Sequence, residues 1–190
     1  MTDPATRTTY LVVDGENIDA TLGTSILKRR PAPAERPRWD RVLHYCERVW
    51  GQPVKALFFL NASSGDVPWP FVQALVALGI RPIPLGGPST TKVVDVAVQR
   101  TLEAIAQREA DVVVASHDAD FVDQVSALLT GTERRVALLG FAEYVSGAYT
   151  EWVDRGLEIF DLEDDAGAFN QPLMRIRIID VDAFDPNLFL

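Results

Sequence analysis

The sequence predicts an α/β domain, a three-layer α/β/α sandwich built on a mainly parallel sheet. Three observations predict it. Short β-branched apolar runs, the pattern of strands covered on both faces, are scattered along the chain. They alternate with stretches whose apolar residues recur at helical spacing, which is the signature of β-α-β units. Two of the strand runs end in acids, Asp14 and Asp118, where open parallel sheets bind their ligands.

Tyr10 to Val13 is the first strand, and it runs into Asp14-Gly15-Glu16-Asn17, where Gly15 permits a tight turn. Ile18 to Leu27 reads as a short helix, and the Pro- and Arg-rich stretch from Arg29 to Arg38 as a loop or arm. Trp39 to Trp50 has helical spacing through Val42, Leu43, Cys46 and Val49. Val54 to Leu60 is the second strand, Phe71 to Leu78 a helix, and Ile80 to Leu85 a third strand. Its two prolines place that third strand at a sheet edge. Residues 86–91 form a loop without the Gly-Lys-Ser/Thr ending of a phosphate loop. A helix follows from Lys92 to about Glu109. Asp111 to Asp123 then joins a buried run, Val112 to Ala115, to a helix capped by Asp118 and ended by Gly131. Arg134 to Leu139 is the fifth strand, Phe141 to Tyr149 a short helix, and Gly156 to Phe160 a short edge strand. The expected strand order is 3-2-1-4-5, which brings the ends of the first and fourth strands together.

The domain is expected to span residues 8–160. Residues 161–190 read as an acidic linker and an extension, in which Arg175 to Val181 alternates enough to make one more strand. That strand, with Phe184, Leu188, Phe189 and Leu190 as apolar anchors, would add to its own sheet, dock on a second copy in a homodimer, or fold with a protein partner through this extension. The formal charge is −9, but residues 151–190 hold only 3 basic against 10 acidic residues and carry most of it. Residues 1–150 hold 15 basic against 17 acidic, and Lys28, Arg29, Arg30, Arg36, Arg38, Arg41 and Arg48 are bunched together. A polyanionic partner is thus compatible with the chain. One cysteine, Cys46, excludes an intrachain disulfide and suits a reducing cytoplasm, and it reads as a buried, inert thiol. One Cys and two His assemble no zinc cluster, and neither a signal peptide nor an apolar stretch of membrane-spanning length is visible.

Asp118, Asp120 and Asp123 crowd one helix start, more acid than capping needs. Asp95 stands within Val93-Val94-Asp95-Val96-Ala97-Val98, where an ionised carboxylate is costly unless paired or metal-bound; a bland reading makes it the partner of Lys92. Asp14, Asp95, Asp118 and Asp120 are hard oxygen donors without Cys or His, which suits Mg²⁺ or Mn²⁺ rather than Zn²⁺. His117 would either narrow the site and add a titrating group or be a loop residue that merely hydrogen-bonds the backbone, the plainer reading, and Trp39 reads as core rather than a stacking surface.

Asp14-Gly15-Glu16-Asn17, Lys92-Val93-Val94-Asp95-Val96 and Ser116-His117-Asp118-Ala119-Asp120-Phe121 resemble, in that order, the three motifs of NYN domains. These are a PIN-like nuclease group that includes LabA-like bacterial proteins. The resemblance covers roughly residues 8–150 and implies a PIN-like fold and metal-dependent RNA cleavage. It makes Asp14, Asp95, Asp118 and Asp120 the catalytic, metal-binding acids. It makes Asn17 and Lys92 substrate-side residues, with Ser116 counted beside them. Two positions depart from the family: His117 and Val93 stand where glycine is usual.

The leading expectation is therefore a cytoplasmic, Mg²⁺- or Mn²⁺-dependent ribonuclease. Lys28, Arg29, Arg30, Arg36, Arg38 and Arg41 would track the RNA backbone, Arg29 and Arg30 foremost. The alternative keeps the fold and drops turnover, leaving an RNA-binding or regulatory interaction module. Other metal-carboxylate classes fit less well. A haloacid-dehalogenase-like phosphatase needs Asp where Glu16 stands, and a receiver domain needs a lysine that Leu138-Leu139-Gly140 does not supply. A Toprim-like site leaves Asp95 without a role.

Overall fold

The structure, a computed structural model, describes residues 7–130, 133–188 and 190. Gly131 and Phe189, expected as a helix stop and an apolar anchor, lie outside the described residues. Six strands make one parallel sheet in the order β3-β2-β1-β4-β5-β6. They are β1 (Thr8–Asp14), β2 (Val54–Asn61), β3 (Arg81–Leu85), β4 (Ala110–Ala115), β5 (Val136–Gly140) and β6 (Leu157–Asp161). The proline-bearing β3 is an edge, and the short β6 closes the other side.

Period-two alternation sorts each strand's side chains between two cores. Leu11, Val13, Val113, Ala115, Ala137 and Leu139 face α1 (Gly15–Ala20), α2 (Trp39–Trp50) and α3 (Trp69–Ala77). Val12, Val112, Val114, Val136 and Leu138 face α4 (Val93–Ala106) and α5 (Val122–Leu129). α6 (Thr150–Val153) adds Trp152 to the second core. Helices change face between β3 and β4, so the sheet's switch point lies between β1 and β4. α1 continues directly into a π-helical segment, Thr21–Leu27.

Cys46 is fully buried and its thiol is pushed up to about 12 by that burial, so it is inert. Trp39 is buried edge-on against Phe58 and offers no stacking surface. Residues 142–149 form two 3-10 turns rather than the expected helix.

The extension differs from expectation in two ways. The acid run after β6 is an ordered turn, not a solvated linker. Asp161 is 6% exposed and accepts from the backbone N–H groups of Ala142, Glu163 and Asp164, and packing of Leu162, Ala166 and Ala168 carries the first core past residue 160. Residues 175–181 form no strand. Their alternation instead turns Arg175 and Arg177 down onto acids and leaves Met174, Ile176 and Ile178 almost fully exposed. The Arg175 guanidinium, 1% exposed, is held by Glu143, Asp161 and Glu163 and lies over the ring of Phe141. Side-chain ion pairs, rather than a strand ladder, fasten this segment. Among the described residues no helix is long and apolar enough to cross a membrane.

Candidate functional site

The carboxyl ends of β1 and β4 lie side by side because Val13 pairs with Ala115. The chain leaves β1 at Asp14, whose Oδ1 caps α1 by accepting from the N–H of Asn17 at 3.1 Å. The turn is tight: a Cβ on Gly15 would lie 2.4 Å from the Phe58 ring, so only glycine lets the chain cross β2 here. The chain leaves β4 through Ser116, His117 and Asp118, and Asp118 caps the turn Ala119–Phe121 by accepting from the N–H of Asp120.

The two exits are stitched together. The Ser116 hydroxyl accepts from the N–H of Asp118 at 3.3 Å and donates to Asp14 Oδ2 at 3.4 Å. Asn17 Oδ1 accepts from the N–H of His117 at 3.2 Å. Asn17 and Ser116, expected on the substrate side, thus also fix the distance between the acid-bearing loops. From behind, the Tyr149 hydroxyl, on a side chain 1% exposed, donates to the Asp118 carbonyl at 2.6 Å. The Ser146 N–H holds the His117 carbonyl at 3.2 Å.

Asp14, Glu16, Asn17, Asn61, Thr90, Lys92, Asp95 and Asp118 line one cleft of about 450 Å³ at this switch point. Acids from three separate stretches of chain therefore face a common space. Asp14 is 3% exposed, and its pKa is raised to about 6, first by burial and then by Asp95, Glu16 and Asp118 against the opposing Asn17 N–H. Glu16 is raised by burial and by Asp95, against a hydrogen bond from Asn61. Asp95 is raised by burial, held back by Lys92, and raised again by Asp120.

Lys92 is the local counter-charge. Its ammonium bridges Asp95 Oδ2 at 3.2 Å and Asp120 Oδ2 at 2.6 Å, so the bland partner for Asp95 is present and the carboxylate faces the cleft as well. Asp120 stands at the rim, held below its ordinary pKa by Lys92. Among the described residues no three His, Cys, Asp or Glu side chains stand close enough together to hold a metal ion in this arrangement. The donor set itself is all hard oxygen, the kind Mg²⁺ and Mn²⁺ take.

Several residues sit elsewhere than the motifs suggested. His117 turns its ring away, between Phe141 and Tyr144, and burial lowers its pKa to about 4. Arg29 and Arg30 stand apart from the cleft, at the far end of the helical segment that begins after Asp14. Most of the basic stretch is engaged internally: Arg29 with Glu35, Arg36 with Asp19, Arg38 with Asp40, and Arg41 with the carbonyls of Gly167 and Phe169. Glu16, Asn61 and Tyr149 also belong to the site, beyond the residues the sequence motifs mark. Position at a strand's carboxyl end was a usable signal for Asn61; nothing local marks Tyr149.

No family model matches the sequence, and no curated protein matches it. In structure the chain is similar to a protein of unknown function from Vibrio parahaemolyticus, with a TM-score of 0.66 and 18% sequence identity. The match covers 87% of this chain and 98% of that one, and at this identity the likeness concerns the fold.

Proposed function

We propose that the chain is a cytoplasmic NYN-type ribonuclease that uses Mg²⁺ or Mn²⁺ to hydrolyse RNA phosphodiester bonds in the cleft between β1 and β4. One observation carries this reading: Asp14, Asp95 and Asp118 line the same cleft, and burial, with repulsion from the neighbouring acids added to it, lifts Asp14 to about 6. A charge excess of this kind is relieved by a cation. Asp14, Asp95 and Asp118 would hold the metal, with Asp120 at the rim. A divalent ion there supplies positive charge against the phosphate and lowers the pKa of a bound water.

The chain's own residues do the rest. Ser116 and Asn17 keep Asp14 and Asp118 in register, and Tyr149 holds the Asp118 backbone from behind. Lys92, largely exposed, orients Asp95 and can exchange Asp120 for a phosphate oxygen. Asn61 and Thr90, which also line the cleft, offer hydrogen bonds to sugar or phosphate.

The test incubates the full chain with varied single-stranded RNAs and Mn²⁺. Cleavage that chelation abolishes, and that Asp118→Asn removes from a folded protein, supports the reading. No cleavage of any RNA, with no Mn²⁺ binding heat in wild type, overturns it. The second reading, a non-catalytic RNA-binding or regulatory module, draws on Met174, Ile176 and Ile178, whose exposure suits a protein partner or a second copy. RNA binding without cleavage would favour it.

A further inference from the structure

A second concavity, about 470 Å³, lies at the other end of the helical segment that starts beside Asp14, lined by Gly23, Lys28, Arg29, Arg30, Pro31 and Asp19. Its charges are not equivalent. Asp19 is taken by Arg36 at 2.7 Å, and Arg29 by Glu35 at 2.5 Å. Lys28 and Arg30 have no side-chain ion pair or hydrogen bond among the described residues, so the hollow presents two uncompensated positive charges.

The hollow is also built rather than incidental. Residues 29–31 fold back so closely that a Cβ on Gly23 would lie 3.1 Å from Pro31 and 3.2 Å from the Arg29 carbonyl. Lys28 has φ 57°, the one non-glycine residue in the left-handed region among those described. A lysine holds this strained position, where glycine is the ordinary occupant of a helix end. Between Asp14 and Lys28 runs one continuous helical segment, roughly 15–20 Å long at about 1.5 Å per residue.

We infer that Lys28 and Arg30 form a phosphate-binding notch for single-stranded RNA, gripping its backbone a few nucleotides away from the bond held in the acidic cleft. This rests on the RNA reading above and deepens it. The strand runs along the 15–27 helical segment, from the acidic end, which needs a cation to accept phosphate, to the basic end, which does not. Arg36 and Arg38 drop out of the path because their guanidinia already pair with carboxylates.

The experiment measures binding of a fluorescent single-stranded RNA, by anisotropy between about 50 and 200 mM salt, to the full chain carrying Asp118→Asn so that no cleavage intervenes. Adding Lys28→Gly and Arg30→Ala is expected to weaken binding about tenfold or more. The slope of log affinity against log salt should become shallower by about 1.4, two single-strand phosphate contacts at about 0.7 each. Lys28→Gly also releases the left-handed strain, so the variant should melt no lower than its parent. Loss of affinity without loss of stability separates ligand contact from helix-end electrostatics. Arg81→Ala, a cation at the start of the edge strand β3 and outside the lining of the hollow, should leave affinity and slope alone.

Unchanged affinity and slope in the notch variant, an equal effect from Arg81→Ala, or a parent that binds no RNA overturns the inference. Wild type that binds with the expected slope yet never cleaves in Mn²⁺ removes the nuclease reading and leaves the notch standing. Cleaving wild type with a notch variant that binds as its parent does removes the notch alone.

Discussion

Asp14→Asn should make the metal-free protein more stable at neutral pH. The side chain is 3% exposed, and its pKa stands at about 6 against an ordinary 3.8. A carboxyl whose folded pKa is raised binds its proton more tightly in the folded chain. Its contribution to stability is therefore complete below about pH 4 and is lost as pH rises through about 6. At about 1.4 kcal/mol per pH unit, the difference is worth about 3 kcal/mol. Asparagine can still accept from the Asn17 N–H and carries no charge, so at pH 7.5 in chelator the variant should gain most of that. A gain of this size is roughly 6–12 °C in melting temperature for a domain this large. Other acids act in the opposite sense: burial alone raises Asp161, but Arg175 and three backbone N–H groups pull it well below its ordinary range. The informative quantity is thus the difference between wild type and variant from pH 4 to 8, by denaturant or thermal melts. Saturating Mn²⁺ should then stabilise wild type by about 2.7 kcal/mol at a hundred times its Kd, and the variant far less. A difference profile flat across that range, or a variant that melts at or below wild type at pH 7.5, would refute the strained carboxylate.

Three further outcomes follow from the same geometry. Asp95→Asn should lower Mn²⁺-dependent cleavage more than about a hundredfold, since even residues behind metal ligands matter tenfold to a hundredfold, and circular dichroism should show the fold intact. Tyr149→Phe removes the hydroxyl that holds the Asp118 carbonyl and should cost about 1–2 kcal/mol in denaturant melts while lowering turnover more than RNA affinity. Arg175→Ala leaves Glu143, Asp161 and Glu163 facing one another without their guanidinium; about 3–5 kcal/mol should be lost, with earlier proteolysis after residue 172 as the readout.

Legibility in the sequence followed the range of the interaction. β4 was readable because Val112, Val113 and Val114 are β-branched and the run through Ala115 is apolar, the pattern of a strand covered on both faces. Asp14 and Asp118 were readable as a pair because the positions at a switch point follow from topology alone. The ion pairs were not. Whether Arg36 is free for RNA depends on Asp19, and whether Asp161 is solvated depends on Arg175, and no local pattern links those positions. The alternation of residues 174–178 was visible as a period of two, but a period names two faces without saying what either touches. Lys92 was legible as a neighbour of Asp95 one helical turn away, and illegible as the bridge to Asp120 on another loop.

The packing of His117 against Gly140 ties two distant positions into one evolutionary choice. A Cβ at 140 would come within 2.8 Å of the imidazole Cδ2, so the ring and a side chain at the end of β5 exclude each other. With glycine at 117, position 140 would be free to carry a side chain, while the imidazole present here keeps 140 bare. An alignment in which a large residue at 117 coexists with a side chain at 140 would mean that the backbone there has moved.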